Sequence, residues 1–359
     1  MHSQARTPVR VGVVGYGAFG RHHARNLAAL EEAALIGVVD PDPEARADAE
    51  RAGLTAFADV EGLLAAGIEA AVVAVPTALH EAAADPLIDA SCALLVEKPL
   101  ASDLAAAQRI IARCRRAGVP LMAGYVERYN PAVVALCAFV RAGHLGRIVA
   151  MSAKRVGVLP PRVRRANVLI DIGVHDLDVV ALITGGPLKL LVARGGMAVS
   201  NDELDYATLA VESAGCAVSL EVNWITPVKL RQLTITGTHC YCHLDYIKQT
   251  ARFAPGRTFD ATATYEALLA QYVDGTMIDL PVKKREPLAR ELQVFLDGVR
   301  GGFMPDPSVT LESLRIAQEA TLAIAAQNSL EARNEPLERE QFEIRGGAAA
   351  QPGPQGAIG

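Results

Sequence analysis

The chain has 359 residues, 51% of them apolar, and a formal net charge of −5 with its histidines neutral. That length suggests two domains, the apolar share fills sizeable cores, and the acidic balance argues against general nucleic-acid binding. No stretch reaches the roughly eighteen apolar residues of a membrane span.

The N-terminus superficially mimics a secretory signal, with Arg6 and Arg10 before an apolar stretch. That stretch runs into a glycine loop, and Arg21-His22-His23 follows without a small-residue cleavage site. Cysteines at 92, 114, 137, 216, 240 and 242 include no C-x-x-C pair. Scattered thiols in a long chain read as reduced, so a cytoplasmic protein is expected.

Val9–Val14 reads as a buried strand, and Gly15-x-Gly17-x-x-Gly20 follows it, opening a helical pattern. The next apolar run, Ala34–Val39, ends at Asp40, twenty positions after Gly20. Together these make the dinucleotide-binding fingerprint. Gly15 allows the tight turn, Gly17 lets the backbone approach a pyrophosphate, and Gly20 lets helix and strand pack closely. Tyr16, Ala18 and Phe19 complete the loop, whose helix N-terminus offers unpaired N–H groups to phosphates. A carboxylate at Asp40 accepts from ribose hydroxyls and repels a 2′-phosphate, which favours NAD over NADP. Arg46 is the neighbouring feature that pulls the other way.

Pro43–Ala52 reads as a helix with Pro in its first turn, Ala70–Val75 as a third strand, and Cys92–Val96 as a further strand ending at Glu97-Lys98-Pro99. Ser102–Ala117 reads as a helix capped by Ser102 and stopped by Gly118, before a short strand at Pro120–Ala123. Alternating strands and helices over residues 1–124 predict a Rossmann domain, an α/β unit on a parallel sheet.

Residues 125–345 read differently. Pro131–Ala142 predicts a helix, Ile148–Val156 a strand, and Val168–Ile183 another helix. Strand patterns then succeed one another at Leu188–Arg194, Ala207–Glu212, Ala217–Trp224 and Leu230–Thr236, and helices are expected near Glu286–Val299 and Leu311–Ala326. This predicts an α+β domain on a large, mostly antiparallel open sheet. A free sheet face suggests self-association. Residues 346–359 read as a disordered tail. In Cys240-Tyr241-Cys242-His243, strand alternation separates the cysteines from the histidine, so no metal site is expected.

Three groups of residues carry possible chemistry. Glu97 and Lys98 lie at the carboxyl end of a parallel strand, where such sheets bind ligands. A Lys there accepts a proton when neutral and stabilises an alkoxide when charged. An exposed loop lysine is the plain alternative. Asp171 and His175 are four apart on the predicted helix, which suits a general base oriented by a carboxylate; a surface ion pair fits the same spacing. Lys154, Arg155, Arg162, Arg164 and Arg165 fall within twelve residues without an acid, around Pro160-Pro161. That run suits an anionic ligand, or simply a solvated basic loop.

The order of G-x-G-x-x-G, Glu97-Lys98-Pro99 and Asp171-x-x-x-His175 resembles the glucose–fructose oxidoreductase, inositol dehydrogenase and MocA family, over nearly the whole chain to about residue 330. The resemblance implies an NAD-dependent dehydrogenase of sugars or polyols, with Lys98, Asp171 and His175 as its catalytic group and Thr77 and His80 beside the dinucleotide. It also implies dimers or tetramers through the open sheet. Gly124-Tyr125-Val126-Glu127-Arg128-Tyr129-Asn130-Pro131-Ala132-Val133, Pro160-Pro161-Arg162 and Asn223–Lys229 further resemble segments of the UDP-N-acetylglucosamine 3-dehydrogenase branch. This implies oxidation of a sugar 3-hydroxyl, with an aminotransferase then making a 3-amino sugar for amide-linked lipid A in lipopolysaccharide. It points to Glu127, Arg128, Asn130 and Arg162 at the nucleotide sugar, and the basic run, with Arg155 and Arg164, agrees with a UDP diphosphate there. Ala166-Asn167 stands where many members carry Gly-Gly, which weakens a substrate borrowed from the sugar or inositol branches. Dehydrogenases of another sugar, a polyol or a UDP-sugar acid are the alternatives, as is an NAD(H)-binding sensor without catalysis.

Overall fold

A computed structural model describes residues 7–158, 167–200, 202–256 and 276–346. Its first sheet contains β1 (Val9–Val14), β2 (Ala33–Val39), β3 (Ala56–Phe57), β4 (Ala70–Val73), β5 (Ala93–Glu97) and β6 (Leu121–Gly124), in the order β3-β2-β1-β4-β5-β6. All its pairs are parallel. Val11, Val13, Ala71, Val72, Leu94 and Leu95 are fully buried, because helices cover both faces and the strands need apolar side chains on both. Those helices are α1 (Ala18–Ala28), α2 (Pro43–Arg51), α3 (Val60–Ala65), α4 (His80–Asp89) and α5 (Leu104–Ala117). The order reverses between β1 and β4, which opens a ligand crevice at the strands' carboxyl ends.

Two local expectations are corrected. The third strand is Ala56–Phe57, paired only with Val38 and Val39, and too short to show a period in sequence. Helix α5 is capped by Asp103 rather than Ser102: the Asp103 carboxylate accepts from the Ala106 N–H at 2.8 Å. Gly118 stops that helix at φ +67°, the left-handed conformation glycine tolerates.

The second sheet contains β7 (Ile148–Val156), β8 (Leu188–Gly196), β9 (Tyr206–Ser213), β10 (Cys216–Asn223), β11 (Leu230–Gly237), β12 (Cys240–Asp245), β13 (Thr250–Pro255) and β14 (Ile278–Asp279). Their order is β14-β13-β12-β11-β7-β10-β9-β8. Among the described residues only β7 and β10 pair in parallel. Val218, Leu220 and Val222 point inward while Ala217 and Ser219 are exposed, the alternation of a sheet with one covered face. On β12, Cys240 and Cys242 share the buried face and His243 takes the other.

Helices α6 (Pro131–Arg141) and α7 (Val174–Thr184) cover the inner face. The last two helices tie the sheets together. Leu292, Phe295 and Leu296 of α8 (Pro287–Val299) join the core of Val11, Val13 and Leu95. Along α9 (Leu311–Gly346), Leu314 packs into the first sheet's core and Ile316, Ala317, Ala320 and Ile324 into the second's. Tail residues 347–359 lie outside the described residues. No helix among the described residues is long and apolar enough to cross a membrane.

Candidate active site

The glycine loop is shaped for a pyrophosphate. Gly15 has φ +95°, and a Cβ there would lie 2.7 Å from the Ala74 carbonyl oxygen. A Cβ at Gly20 would sit 1.8 Å from the Gly15 carbonyl oxygen, so any side chain would push α1 off the strand. At Gly17 a Cβ would meet nothing within 4 Å. The chain thus leaves open space just ahead of an α1 N-terminus that has no side-chain cap and no acid in its first turn. Those features fit the phosphates of a dinucleotide.

Asp40 closes the other side of this cradle. Its carboxylate accepts from the Tyr16 N–H at 2.8 Å and from the Asp42 N–H at 2.9 Å, which fixes the loop against the end of β2. A carboxylate has about four lone-pair sites, so acceptors remain for ribose hydroxyls. Arg46 donates to the carbonyls of Asp40 and Pro41 at 2.9 and 2.8 Å. Its guanidinium is therefore tied to main chain. Thr77 begins a short turn after β4.

His80, at the start of α4, is held by main-chain carbonyls. It is 1% exposed, with Nε2 3.0 Å from the Val75 carbonyl and Nδ1 3.3 Å from that of Leu100. Only an N–H can donate to a carbonyl, so the Nε2–H tautomer satisfies the shorter contact. Burial pushes its pKa down, keeping the ring neutral. His80 braces the two loops that carry Val75 and Leu100.

Beyond the cradle, Glu97 carries Lys98 into position. Its Oε1 lies 2.6 Å from His23 Nε2 on α1, and its Oε2 accepts from the Lys98 N–H at 3.1 Å. Burial opposes the Glu97 charge, but His23 and the Lys98 cation outweigh it and hold the carboxyl below its ordinary range. The Lys98–Pro99 bond is cis.

Lys98 Nζ donates to Asp171 Oδ1 at 3.1 Å and to the Asp171 carbonyl at 2.5 Å. Asp171 lies on a wide π-type turn, Leu169–Gly173, that precedes α7. The expected uniform helix over Val168–Ile183 is corrected here, and so is the expected partnership. Asp171 holds Lys98, and His175 Nδ1 is buried without a partner among the described residues. Burial, followed by the charges of Lys98, Arg155 and Arg231, pushes the His175 pKa well below its ordinary value. A neutral imidazole is the protonation state of a general base.

These groups share a cavity of about 620 Å³. Phe19 and His22 of α1 line it, with Lys98, Asp171 and His175, and on the far side Glu127, Asn130, Arg155, Trp224, Lys229 and Arg231. The charge on that far wall differs from the sequence expectation. Arg155 is 2% exposed and fully engaged: Nε and Nη2 bond Asp176 at 2.6 and 3.2 Å, and Nη1 bonds Glu127 at 3.0 Å. Burial opposes its charge, but the carboxylates of Asp176 and Glu127 hold the guanidinium charged. Lys154 points to the opposite sheet face and pairs with Glu221 at 2.9 Å. Arg162, Arg164 and Arg165 lie outside the described residues. Neither described member of the basic run is a free cation, because strand register brings Glu221 to Lys154, and packing of α7 and of the turn before α6 brings Asp176 and Glu127 to Arg155.

Arg128 is likewise absent from the cavity wall, since it forms a buried fork with Asp178 at 2.7 and 2.6 Å. Asn130 caps α6 through the Ala132 N–H at 3.1 Å and donates to Glu127 at 3.1 Å. Lys229 and Arg231, which line the cavity without a close carboxylate among the described residues, are not marked in sequence as ligand-binding charges. Their signal was two inward-facing basic positions continuing into Leu233 and Ile235, an apolar strand face.

A dinucleotide cradle at the start of α1, a helix that also lines the cavity of a Lys–Asp pair and a neutral histidine, has the parts of an NAD-dependent oxidoreductase. Residues 9–125 match the model of an oxidoreductase family with an NAD-binding Rossmann fold, and residues 133–242 match the GFO/IDH/MocA C-terminal domain. The chain belongs to this Gfo/Idh/MocA family and is an NAD-dependent dehydrogenase acting on a CH–OH group. It is 28% identical over 293 residues to a UDP-N-acetylglucosamine 3-dehydrogenase of Acidithiobacillus ferrooxidans, covering 81% of this chain and 88% of that protein. A crystal structure of that enzyme superposes with a TM-score of 0.76 at 26% identity, over 89% of this chain and 99% of the other. The myo-inositol dehydrogenase Hyg17 of Streptomyces leeuwenhoekii is 37% identical over 201 residues, 54% of this chain and 61% of that protein.

Proposed function

We propose that this dehydrogenase oxidises a nucleotide-activated sugar, UDP-N-acetylglucosamine at its 3-hydroxyl. Similarity to the Acidithiobacillus enzyme along most of both chains supports the sugar. The observation that carries the reaction is the single cavity joining the α1 side to Lys98, Asp171 and His175. Bound NAD⁺ supplies the hydride acceptor. His175 accepts the hydroxyl proton, being held neutral by burial and by nearby cations. Lys98, anchored by Asp171, donates a hydrogen bond to the same oxygen and stabilises its developing negative charge. Asp171 thus acts on Lys98 rather than on His175.

Residues 1–124 form the NAD-binding unit in this reading, and residues 125–345 the substrate and assembly unit. The outward face of the large sheet carries Ser152, Thr208, Ser219 and Tyr241, all exposed in the single chain. We assign it to contact with further copies, in a dimer or tetramer. The 3-keto product would pass to a sugar aminotransferase in the cytoplasm, toward the 3-amino sugar of lipid A.

The test is NADH absorbance with UDP-N-acetylglucosamine and NAD⁺, run with a ketone trap or an aminotransferase to draw off an unfavourable product. NADH formation from this substrate, and less from free N-acetylglucosamine or inositol, is the expected outcome. Turnover of the free polyol alone would transfer the assignment to the inositol dehydrogenases.

A further inference from the structure

The pairing of β7 with β11 sets Arg155 and Arg231 directly opposite each other on the inward sheet face. Like charges so placed repel. Arg155 is compensated by Asp176 and Glu127. Arg231 is not. Among the described residues its guanidinium donates no hydrogen bond, and the nearest carboxylate oxygen, Glu127 Oε1, is 3.9 Å away and already bonded to Arg155. Its side chain is 35% exposed, toward the cavity. Lys229, two residues earlier, lines the same cavity and has no ion pair among the described residues. Five guanidinium donors half removed from water and unanswered are a standing cost that an anion relieves.

We propose that Arg231 and Lys229 clamp the diphosphate of the substrate, an assignment that rests on the nucleotide-sugar reading above. Charge count favours a diphosphate over a carboxylate. One carboxylate is answered in full by the Arg231 fork and leaves Lys229 uncompensated. A diphosphate brings at least two negative charges to two cations whose Cα atoms, two residues apart on an extended segment, lie about 7 Å from each other. Burial and neighbouring cations weigh on both groups. Arg231's charge, then burial, pushes the Lys229 pKa down, and burial followed by Arg155 pushes down that of Arg231. A dianion between them reverses that load.

The experiment measures binding of UDP, UMP and uridine to the NAD-loaded protein, by calorimetry and by inhibition of NADH formation. Wild type, Arg231→Gln, Arg231→Lys and Lys229→Gln are compared, with NAD affinity as the check on folding. Arg231→Gln should weaken UDP by about 10–100-fold, the worth of hydrogen bonds to a charged group. Arg231→Lys should recover part of that loss. Lys229→Gln should weaken UDP more than UMP, and uridine should be indifferent to all three. UDP binding that all variants retain overturns the clamp and leaves the nucleotide-sugar reading standing. A wild type that ignores UDP overturns both. UDP binding lost in the variants, with no oxidation of UDP-N-acetylglucosamine, upholds the clamp and overturns only the proposed sugar.

Discussion

The cofactor cradle and the far wall of the cavity are built by different rules. The cradle, or cofactor wall, is local: Gly15, Gly17 and Gly20 lie within six residues, and Asp40 reaches them through one hydrogen bond to Tyr16. The opposite wall is assembled from segments far apart, with Arg155 of β7 meeting Asp176 of α7 and Glu127 of the turn before α6. A charge on the first wall can be interpreted where it stands in the chain. A charge on the second has no meaning until sheet register and helix packing say what lies opposite it. Arg155 and Arg231 show the difference, since the one that looked like a ligand for an anion is neutralised and the one passed over is not.

Lys98 and His175 stand where the walls meet, and the largest effect is expected there. Lys98→Ala and His175→Ala should each lower kcat by about 10³-fold or more, with NAD affinity changed less than about threefold. Stopped-flow NADH formation and NAD titration of the same samples separate the two quantities. Near-normal rates in both variants would place the chemistry elsewhere. Asp171→Asn should mimic Lys98→Ala more closely than His175→Ala, since its carboxylate holds Lys98.

The far wall is tested by removing its buried cation. Arg155→Met strands the carboxylates of Asp176 and Glu127 in the interior and should cost about 3–5 kcal/mol of stability, measured from denaturant midpoints. Gln at Lys229 deletes an exposed, uncompensated cation and should leave the midpoint almost unmoved. If Arg155→Met unfolds at the wild-type midpoint and loses only substrate, the original reading of Arg155 as a ligand for the sugar nucleotide is restored.

The cofactor wall yields a smaller and cleaner contrast. Gly17→Ala adds a methyl to open space, so thermal stability should hold while NAD binding weakens by about tenfold through the crowded pyrophosphate. Gly20→Ala drives a Cβ into the Gly15 carbonyl and should lower stability itself. Calorimetric melting with and without NAD distinguishes the two, and equal melting losses would show that the glycines serve packing alone.

Legibility in sequence followed the same division. Strands such as Val9–Val14 and Ile148–Val156 were marked by apolar runs or alternation, and the glycines and Asp40 by spacing. What was not legible depended on distant partners. The wide turn at Leu169–Gly173 carries the same apolar residues as an ordinary helix. Asp171 sits at helical spacing from His175 yet bonds Lys98, because β5 delivers an ammonium to it from another sheet. Resemblance named Arg128 and Asn130 through a motif whose conformation they stabilise, one by a buried ion pair and one by a helix cap.

The seam between the regions holds one more buried charge, and its effect should be the smallest. Glu291 of α8 is 0% exposed, and neither carboxylate oxygen has a partner among the described residues. Burial, then the negative charge of Glu97, pushes its pKa well above the usual 4.5. The folded protein therefore keeps this proton where the unfolded chain has released it. Its contribution to stability is fully present below about pH 4.5 and is lost as pH rises toward the folded pKa. Glu291→Gln keeps the shape and removes the titration. Melting temperatures of wild type and variant should coincide near pH 4.5 and diverge upward, the variant gaining about 2 °C or more by pH 8. A gap that stays constant with pH would mean that Glu291 ionises in the folded protein as it does in the unfolded chain. The seam would then hold two carboxylates charged side by side, and Glu97 would have to position Lys98 against that repulsion.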